Sequence, residues 1–156
     1  MKKYILAAGV AAFALAPVQA SAVTGNIPFN GTVTHTCVIT VGPAGALAAD
    51  ASFQTLSSSI GSGSAGSATV VATGNGFNIS VDTPSLSKPA ADTTSETLAS
   101  SYSTSGASSV SGTDSDAANN LTNGTTNVSI NMSATKSGSD VFEAGAYSGT
   151  VVLRCE

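Results

Sequence analysis

The chain has 156 residues and a formal net charge of −4, and only 9% of its residues are charged, against about a quarter in an average soluble protein. So few cations cannot neutralise a row of phosphates, which argues against a nucleic-acid-binding protein. One histidine and two cysteines fall short of the four ligands of a structural zinc site, so we predict neither a metal nor another cofactor.

Residues 1–20 have the pattern of a secretory signal peptide. Two lysines precede an apolar run from Ile5 to Leu15, and small residues follow up to cleavage sites after Ala20 and after Ala22. The apolar run is shorter than the roughly 20 residues that span a bilayer, and no later stretch is longer. We therefore predict an exported protein that is not an integral membrane protein, whose mature chain carries three cations and nine acids, a net charge of −6.

The stretch from Val23 to Val41 alternates apolar and polar side chains, which is typical of a strand with one buried face. One face carries Val23, Gly25, Ile27, Phe29, Gly31, Val33, His35, Cys37, Ile39 and Val41. Such a strand would be roughly 60 Å long at about 3.3 Å per residue, whereas a domain of this size is roughly 35–40 Å across. Either the strand bends inside the domain, or its first half buries its apolar face in something else. We favour the second interpretation.

Shorter alternating runs follow, separated by turn residues. They predict strands at Phe53–Leu56, Ala68–Thr73, Phe77–Asp82, Asn127–Ala134 and Ala146–Glu156, with at most a helical turn at Ala46–Asp50. From Ser85 to Thr126 the large apolar residues are isolated, and we expect two or three short strands there. Many short alternating runs without a helical period indicate an antiparallel β-sandwich or barrel.

Cys37 and Cys155 are the two cysteines of the chain. In an exported protein they predict one disulfide, since the alternative of two free thiols does not suit an oxidising compartment. A disulfide would hold the two Cα atoms within about 7 Å. The first and last strands should then be neighbours.

The order of these features resembles a chaperone–usher pilin, the subunit of a bacterial fimbria. The resemblance is carried by the predicted signal peptide, by Phe29-Asn30-Gly31-Thr32-Val33 before Cys37, by Phe77-Asn78-Ile79, and by the ending from Phe142 to Glu156. In this family the usual disulfide joins the first strand to the second, and an aromatic residue stands where this chain has Cys155. These departures favour the divergent branch related to spore coat protein U.

The resemblance implies an incomplete immunoglobulin-like sandwich that a donor strand from a neighbouring subunit completes. Residues 21–31 would be the donor-strand extension and residues 32–156 the pilin domain. The donor side chains would be Val23, Gly25, Ile27 and Phe29, and the acceptor groove would be lined in part by Tyr147, Val151 and Leu153. The chain would form head-to-tail filaments of copies of itself on the cell surface, where they support adhesion. A periplasmic chaperone and an outer-membrane usher would serve as assembly partners.

Other functions have weaker support in the sequence. A hydrolase would need His35 as its base, but no G-x-S-x-G motif accompanies it, so we predict no enzyme and no catalytic residues. Asp114, Asp116 and Asn119 resemble a fragment of a calcium loop but lack its glycine and terminal glutamate. The main alternative is a self-contained secreted β-sandwich that binds a small ligand or sugar as a monomer.

Overall fold

A computed structural model describes residues 21–156, and the predicted signal peptide lies outside these residues. The chain divides into two units, Met1–Gly31 and Thr32–Glu156, which we describe separately. In the first unit, residues 21–31 form neither helix nor strand, and their side chains are exposed. Within residues 21–156, no helix is long and apolar enough to cross a membrane.

The second unit is all-β, and its paired strands are antiparallel. The strands are β1 (Cys37–Val41), β2 (Ala48–Ala49), β3 (Thr55–Ser57), β4 (Gly66–Ala72), β5 (Asn78–Val81), β6 (Ser85–Ser87), β7 (Glu96–Gly106), β8 (Val110–Asp114), β9 (Asn119–Asn120), β10 (Gly124–Lys136), β11 (Ser148–Thr150) and β12 (Leu153–Cys155). The predicted all-β antiparallel class is thus confirmed.

Strand β10 is the centre of the large sheet. One of its edges pairs with β4 over Gly124–Ile130 and with β3 over Ser133–Thr135, and the other pairs with β7 over Thr126–Lys136. Beyond these strands lie β1 next to β4, β2 next to β3, and β8 next to β7. There are two smaller sheets. One contains β12, β5 and β9, and the other contains β11 and β6.

The main core lies between the large sheet and the small sheet of β12, β5 and β9. Val70 and Val128 from the large sheet and Ile79 and Val81 from β5 belong to the same buried cluster. Tyr102 on β7 spans this core, because its hydroxyl donates a hydrogen bond to the backbone oxygen of Ile79 at 2.9 Å. Apolar faces of separate sheets packed on one another are consistent with a β-sandwich.

The predicted disulfide between Cys37 and Cys155 is confirmed, with a Cα–Cα distance of 6.4 Å. It joins the first residue of β1 to the last residue of β12. The first and last strands are therefore neighbours, as the sequence predicts. Because β1 belongs to the large sheet and β12 to a small one, the bond ties the two layers together.

The start of the second unit differs from the sequence prediction, because only Cys37–Val41 forms a strand. Val33 and His35, which the alternation places on the same face as Cys37, are exposed. The His35 ring stacks on Phe77 with ring centroids 4.5 Å apart, and its Nε2 lies 3.0 Å from the backbone oxygen of Asn75. A backbone hydrogen bond from Thr73 N to the Thr36 oxygen at 2.9 Å also holds this segment, but the strand begins only at Cys37, so a single strand that continues from Val23 through the domain is not found in residues 21–156.

Two further corrections concern short elements. The helical turn allowed at residues 46–50 is instead the short strand β2, and Ala46 forms an isolated bridge with Ser64. The predicted final strand is split into β11 and β12, because residues 151–152 leave the ladder. Val151, Leu153 and Cys155 are nevertheless partly buried, in alternation with two exposed residues.

Candidate functional site

Two strands with open edges flank a groove in the second unit. Within residues 21–156, β1 pairs with β4 alone and β11 pairs with β6 alone, so each keeps one edge without a strand partner. Such an edge presents backbone N–H and C=O groups that an additional strand can bind.

The groove has a volume of about 700 Å³ and is bounded by apolar side chains on three sides. One wall comes from β1 and the segment after it, the floor from β3 and β10, and the other wall from the last part of the chain. The first wall contains Val41, Pro43 and Leu47. The floor contains Leu56 of β3 and Ile130 and Met132 of β10. The second wall contains Tyr147, Gly149 and Val151. Val41 is 81% exposed, so a large part of its side chain is free to contact an occupant.

At Gly149 the wall formed by the last part of the chain lies against the floor. A Cβ atom at this position would overlap the Sδ atom of Met132. A side chain in its place would require the flexible end of Met132 to shift, and the glycine allows the wall and the floor to pack closely here.

The structure brings two of the three predicted acceptor residues together. Tyr147 and Val151 both line the groove. Leu153 is not among the lining residues; it pairs with Val81 in the ladder and packs against the main core. Acceptance of a donor strand by these residues stays a prediction.

The predicted donor residues lie in the first unit. Val23 is 94% exposed, Ile27 77% and Phe29 91%, and Gly25 is exposed as well. Their alternation along an extended chain would put these four residues on one face of a strand. Their role as a donor strand also stays a prediction.

A second cavity of about 330 Å³ adjoins the groove. Leu56, Gly145 and Tyr147 line both spaces. The lining of the groove continues from Tyr147 to Val151, and the lining of the second cavity continues from Tyr147 back to Phe142. Tyr147 therefore stands at the boundary between them.

Tyr147 is anchored by a buried ion pair that the sequence did not reveal. Lys136 Nζ lies 2.5 Å from Asp92 Oδ1, and both side chains are fully buried. The ammonium group also donates hydrogen bonds to Thr94 Oγ1 at 2.6 Å and to the Thr94 backbone oxygen at 3.1 Å. Its three protons thus have three acceptors, which is the condition under which a buried charge is tolerated.

The Tyr147 hydroxyl lies 2.7 Å from Asp92 Oδ2 and 2.9 Å from the backbone oxygen of Glu143. Burial and the hydrogen bond to the negatively charged Asp92 raise the pKa of Tyr147 to about 12. Burial by itself would raise the pKa of Asp92, but the hydrogen bonds from Lys136 and Tyr147 and the charge of Lys136 outweigh it and lower the pKa to about 2. Near neutral pH the tyrosine is therefore protonated and the carboxyl is charged, so the ring has a fixed position between the groove and the cavity.

One sequence signal pointed to Lys136. Lys136 continues the alternation of β10 by one step and so lies on the buried face of the strand, after Val128, Ile130, Met132 and Ala134. A charged residue on a buried face implies a partner. Nothing in the sequence singled out Asp92, because the pairing depends on the path of the loop before β7.

Substitution of Lys136 by methionine should destabilise the protein by about 3–5 kcal/mol, because it leaves Asp92 buried without its counter-charge. Urea unfolding at pH 7 measures this loss. Arg154→Met is the control, since Arg154 pairs with Asp82 at 2.5 Å but its side chain is 50% exposed, and exposed pairs contribute at most about 1 kcal/mol. The double variant Lys136→Met with Asp92→Leu should recover much of the loss; equal losses for Lys136→Met and Arg154→Met would contradict the assignment.

The same cluster predicts how stability depends on pH. The pKa of Asp92 lies at about 2 in the folded protein, below its ordinary value of 3.8, so its contribution is present above pH 3.8 and is lost as the pH falls towards 2. The pKa of Tyr147 is raised from 10.0 to about 12, so its contribution is present below pH 10 and is lost as the pH rises towards 12. Tyr147→Phe should therefore flatten the alkaline limb of a plot of unfolding free energy against pH, and an unchanged limb would contradict the hydrogen bond to Asp92.

The groove offers a largely apolar surface of the kind that binds another molecule or segment. Its lining consists of apolar side chains, Ser, Thr, glycines and one tyrosine. In the part of the chain that the structure describes, no group of three or more His, Cys, Asp and Glu side chains is placed to hold a metal ion.

Comparison with known proteins does not assign a family. No protein-family model matches the chain, and a search of curated proteins finds no significant match. The function therefore has to be argued from the groove, the open edges and the exposed segment.

Proposed function

We propose that this protein is a structural subunit of a bacterial surface pilus that polymerises by donor-strand exchange. The observation that supports this most directly is the groove of about 700 Å³ whose lining includes residues of β1 and β11, two strands that each have one edge without a strand partner within residues 21–156. A β-strand that enters such a groove gains main-chain hydrogen bonds from the edge and buries alternate side chains in the groove.

The donor in this proposal is the segment Val23–Phe29 of another copy. Val23, Ile27 and Phe29 are at least 77% exposed, although large apolar side chains gain free energy from burial. A head-to-tail arrangement, in which each copy accepts one segment and donates one, leads to an open filament rather than a closed ring.

The resemblance to chaperone–usher pilins extends the proposal to export and assembly. The subunit would be secreted by the signal peptide at residues 1–20 and kept soluble by a periplasmic chaperone. An outer-membrane usher would then add it to a filament on the cell surface. The disulfide between Cys37 and Cys155 is compatible with this route, because disulfides form in the periplasm.

A second candidate function is favoured by the size of the groove. Its volume of about 700 Å³ lies within the range of about 300–1,000 Å³ that is typical of small-molecule sites. In that case the chain would be a secreted monomer that binds a small ligand or a sugar. The two candidates differ in their association state. The pilus subunit would associate with copies of itself through residues 21–31, whereas the ligand-binding protein would stay a monomer.

Charges on the proposed inward face of the donor segment should abolish assembly. We expect the mature wild-type chain, recovered from the periplasm, to form head-to-tail oligomers, and the variants Ile27→Asp and Phe29→Asp to remain monomeric, because a carboxylate cannot be buried in an apolar groove without a partner. Light scattering after size-exclusion chromatography measures the mass, and electron microscopy shows any filaments.

The matched controls are Asn26→Asp and Asn30→Asp, which add the same charge on the opposite face of the segment and should leave assembly intact. A wild-type protein that stays a folded monomer after prolonged incubation would contradict the polymer and favour the ligand-binding alternative. Loss of assembly in all four variants would show a general effect of charge rather than an inward face.

A further inference from the structure

The buried ion pair between Lys136 and Asp92 brings an amine and a carboxyl group into contact inside the domain. Lys136 Nζ lies 2.5 Å from Asp92 Oδ1, and neither side chain has any exposed surface. Since Oδ1 is bonded to the carboxyl carbon at about 1.2 Å, the nitrogen is at most about 3.7 Å from that carbon. Atoms that are positioned to react with each other lie about 3–3.5 Å apart. The two groups are therefore close to the position from which an amide bond forms.

The surroundings of the pair favour an uncharged product. The ring of Phe142 lies 4.8 Å from Lys136 Nζ and is itself buried, so it separates the amine from water. Two charges without access to water are costly to bury, whereas an amide carries no charge. Thr94 accepts two of the hydrogen bonds that the ammonium group donates, and these bonds hold the nitrogen in place beside the carboxyl group.

We propose that Lys136 and Asp92 condense to an intramolecular amide bond once the domain has folded. One ammonium proton passes to Oδ1, and the neutral amine then attacks the carboxyl carbon. A C–N bond forms, the C–O bond to Oδ1 breaks, and Oδ1 leaves as water with a second proton from the nitrogen. A pair of opposite charges thus becomes a neutral amide and one water molecule, so no oxidant or other reactant is needed. The bond does not depend on whether the chain polymerises.

Two further side chains lie at the reacting atoms. The hydroxyl of Tyr147 lies 2.7 Å from Asp92 Oδ2, the oxygen on which negative charge develops during the attack. Burial and the hydrogen bond to Asp92 raise the pKa of Tyr147 to about 12, so the hydroxyl keeps its proton near neutral pH. A fixed hydrogen-bond donor at such an oxygen stabilises the transition state. The carboxylate of Glu96 lies 3.7 Å from Lys136 Nζ, where it can accept the second proton from the nitrogen and return it to Oδ1.

The amide bond would join two parts of the chain that the disulfide does not connect. Asp92 lies in the loop before β7, and Lys136 is the last residue of β10, 44 residues further along the chain. The disulfide instead joins β1 to β12. Because condensation replaces both charges, the contribution of Asp92 to stability in acid applies to chains that have not condensed, and it should disappear as the bond forms.

The intact mass of the mature chain tests this proposal, after recovery from the periplasm, incubation in the folded state and reduction of the disulfide. We expect a mass lower by one water molecule than the sequence requires, and a digest with one crosslinked peptide that contains both Asp92 and Lys136. Trypsin should not cleave after Lys136, because the amide removes the charge that the protease recognises. Lys136→Arg keeps the positive charge, but its guanidinium stays protonated and cannot attack, so this variant should have its full mass.

The role of Tyr147 is tested by the rate at which the water is lost. Tyr147→Phe should slow the loss by about 100-fold, because it removes one hydrogen-bond donor from the developing charge. Tyr102→Phe is the matched control, since it also removes a buried tyrosine hydroxyl, one that bonds to the Ile79 oxygen in the main core. This control should condense at the wild-type rate. The condensed fraction is measured by mass at increasing times after expression.

A wild-type chain that keeps its full mass after prolonged incubation overturns the amide bond. A loss of water that persists in Lys136→Arg also overturns it, since cyclisation of an aspartate to a succinimide releases the same mass. The digest of the wild-type chain decides the question even if the arginine variant does not fold, because complete cleavage after Lys136 has the same meaning. Equal rates for Tyr147→Phe and Tyr102→Phe would leave the bond in place and overturn the role of Tyr147.

Discussion

Attachment of residues 21–30 behind Glu156, through a flexible linker, should raise the midpoint of thermal unfolding by roughly 10 °C or more. The reference is the chain that begins at Gly31 and lacks the segment. Both proteins are compared with Cys37 and Cys155 oxidised. Circular dichroism follows the unfolding, and size-exclusion chromatography shows whether aggregation disappears.

The expected size of this effect follows from the side chains that the groove would bury. Burial of Val23, Ile27 and Phe29 stabilises the filled groove, main-chain hydrogen bonds to the open edges add to this, and ordering the backbone of the segment opposes both. A net gain of about 3 kcal/mol corresponds to roughly 10 °C, since 1 kcal/mol shifts the midpoint of a domain of this size by about 4 °C.

The control carries the same attached segment with Ile27→Asp and Phe29→Asp. It has the same length and linker, but it cannot bury its inward face, so its midpoint should match that of the chain without the segment. Equal midpoints for all three proteins, each a well-folded monomer, would contradict the donor-strand proposal. An equal rise with both segments would point to the linker or to the new chain end.

The sequence predicted most reliably the strands whose inward positions are large and apolar. Alternation identified β5 and the centre of β10, and the structure buries Ile79, Val81, Val128 and Met132 as expected. In such strands one residue of slip would expose the whole apolar face, so the pattern is under strong physical constraint. The disulfide was predictable for a different reason, since two cysteines allow one pairing within the chain.

Strand β7 shows why other parts could not be predicted. It runs for 11 residues through a segment in which only short strands were expected. Its buried positions include Ser100 and Thr104, whose hydroxyls hydrogen-bond to the Asp82 oxygen and the Val110 nitrogen. A strand that buries polar side chains in this way has no hydrophobic alternation to detect, because the hydroxyl groups are satisfied by backbone atoms outside the strand.

The candidate site was predictable only in part, because it depends on topology. The resemblance to pilins implies that Tyr147 and Val151 line a groove, and both line the groove of the second unit. Leu153 follows the same alternation but lies beyond the groove, near the disulfide. Which residues line a groove depends on where two sheets separate, and a single strand pattern does not contain that information.

Removal of the disulfide by Cys37→Ala and Cys155→Ala should lower the free energy of unfolding by about 4–5 kcal/mol, because the bond closes a long loop in the unfolded chain. The two cysteines are 118 residues apart. In urea, with a slope of about 2 kcal/mol per molar, this corresponds to a midpoint lower by roughly 2 M. Reduction of the wild-type protein should produce the same shift, and the double variant should not respond to reductant.

The same substitution, made in the chain with the attached donor segment, distinguishes two roles of the bond. Constraint of the unfolded chain acts whether or not the groove is filled, so by itself it would cause the same loss in both proteins. The bond also joins β1 to β12, and a donor strand requires its neighbouring edges at a fixed spacing. We therefore expect a larger loss in the chain with the donor segment; an equal loss would show that the disulfide stabilises the domain without shaping the groove.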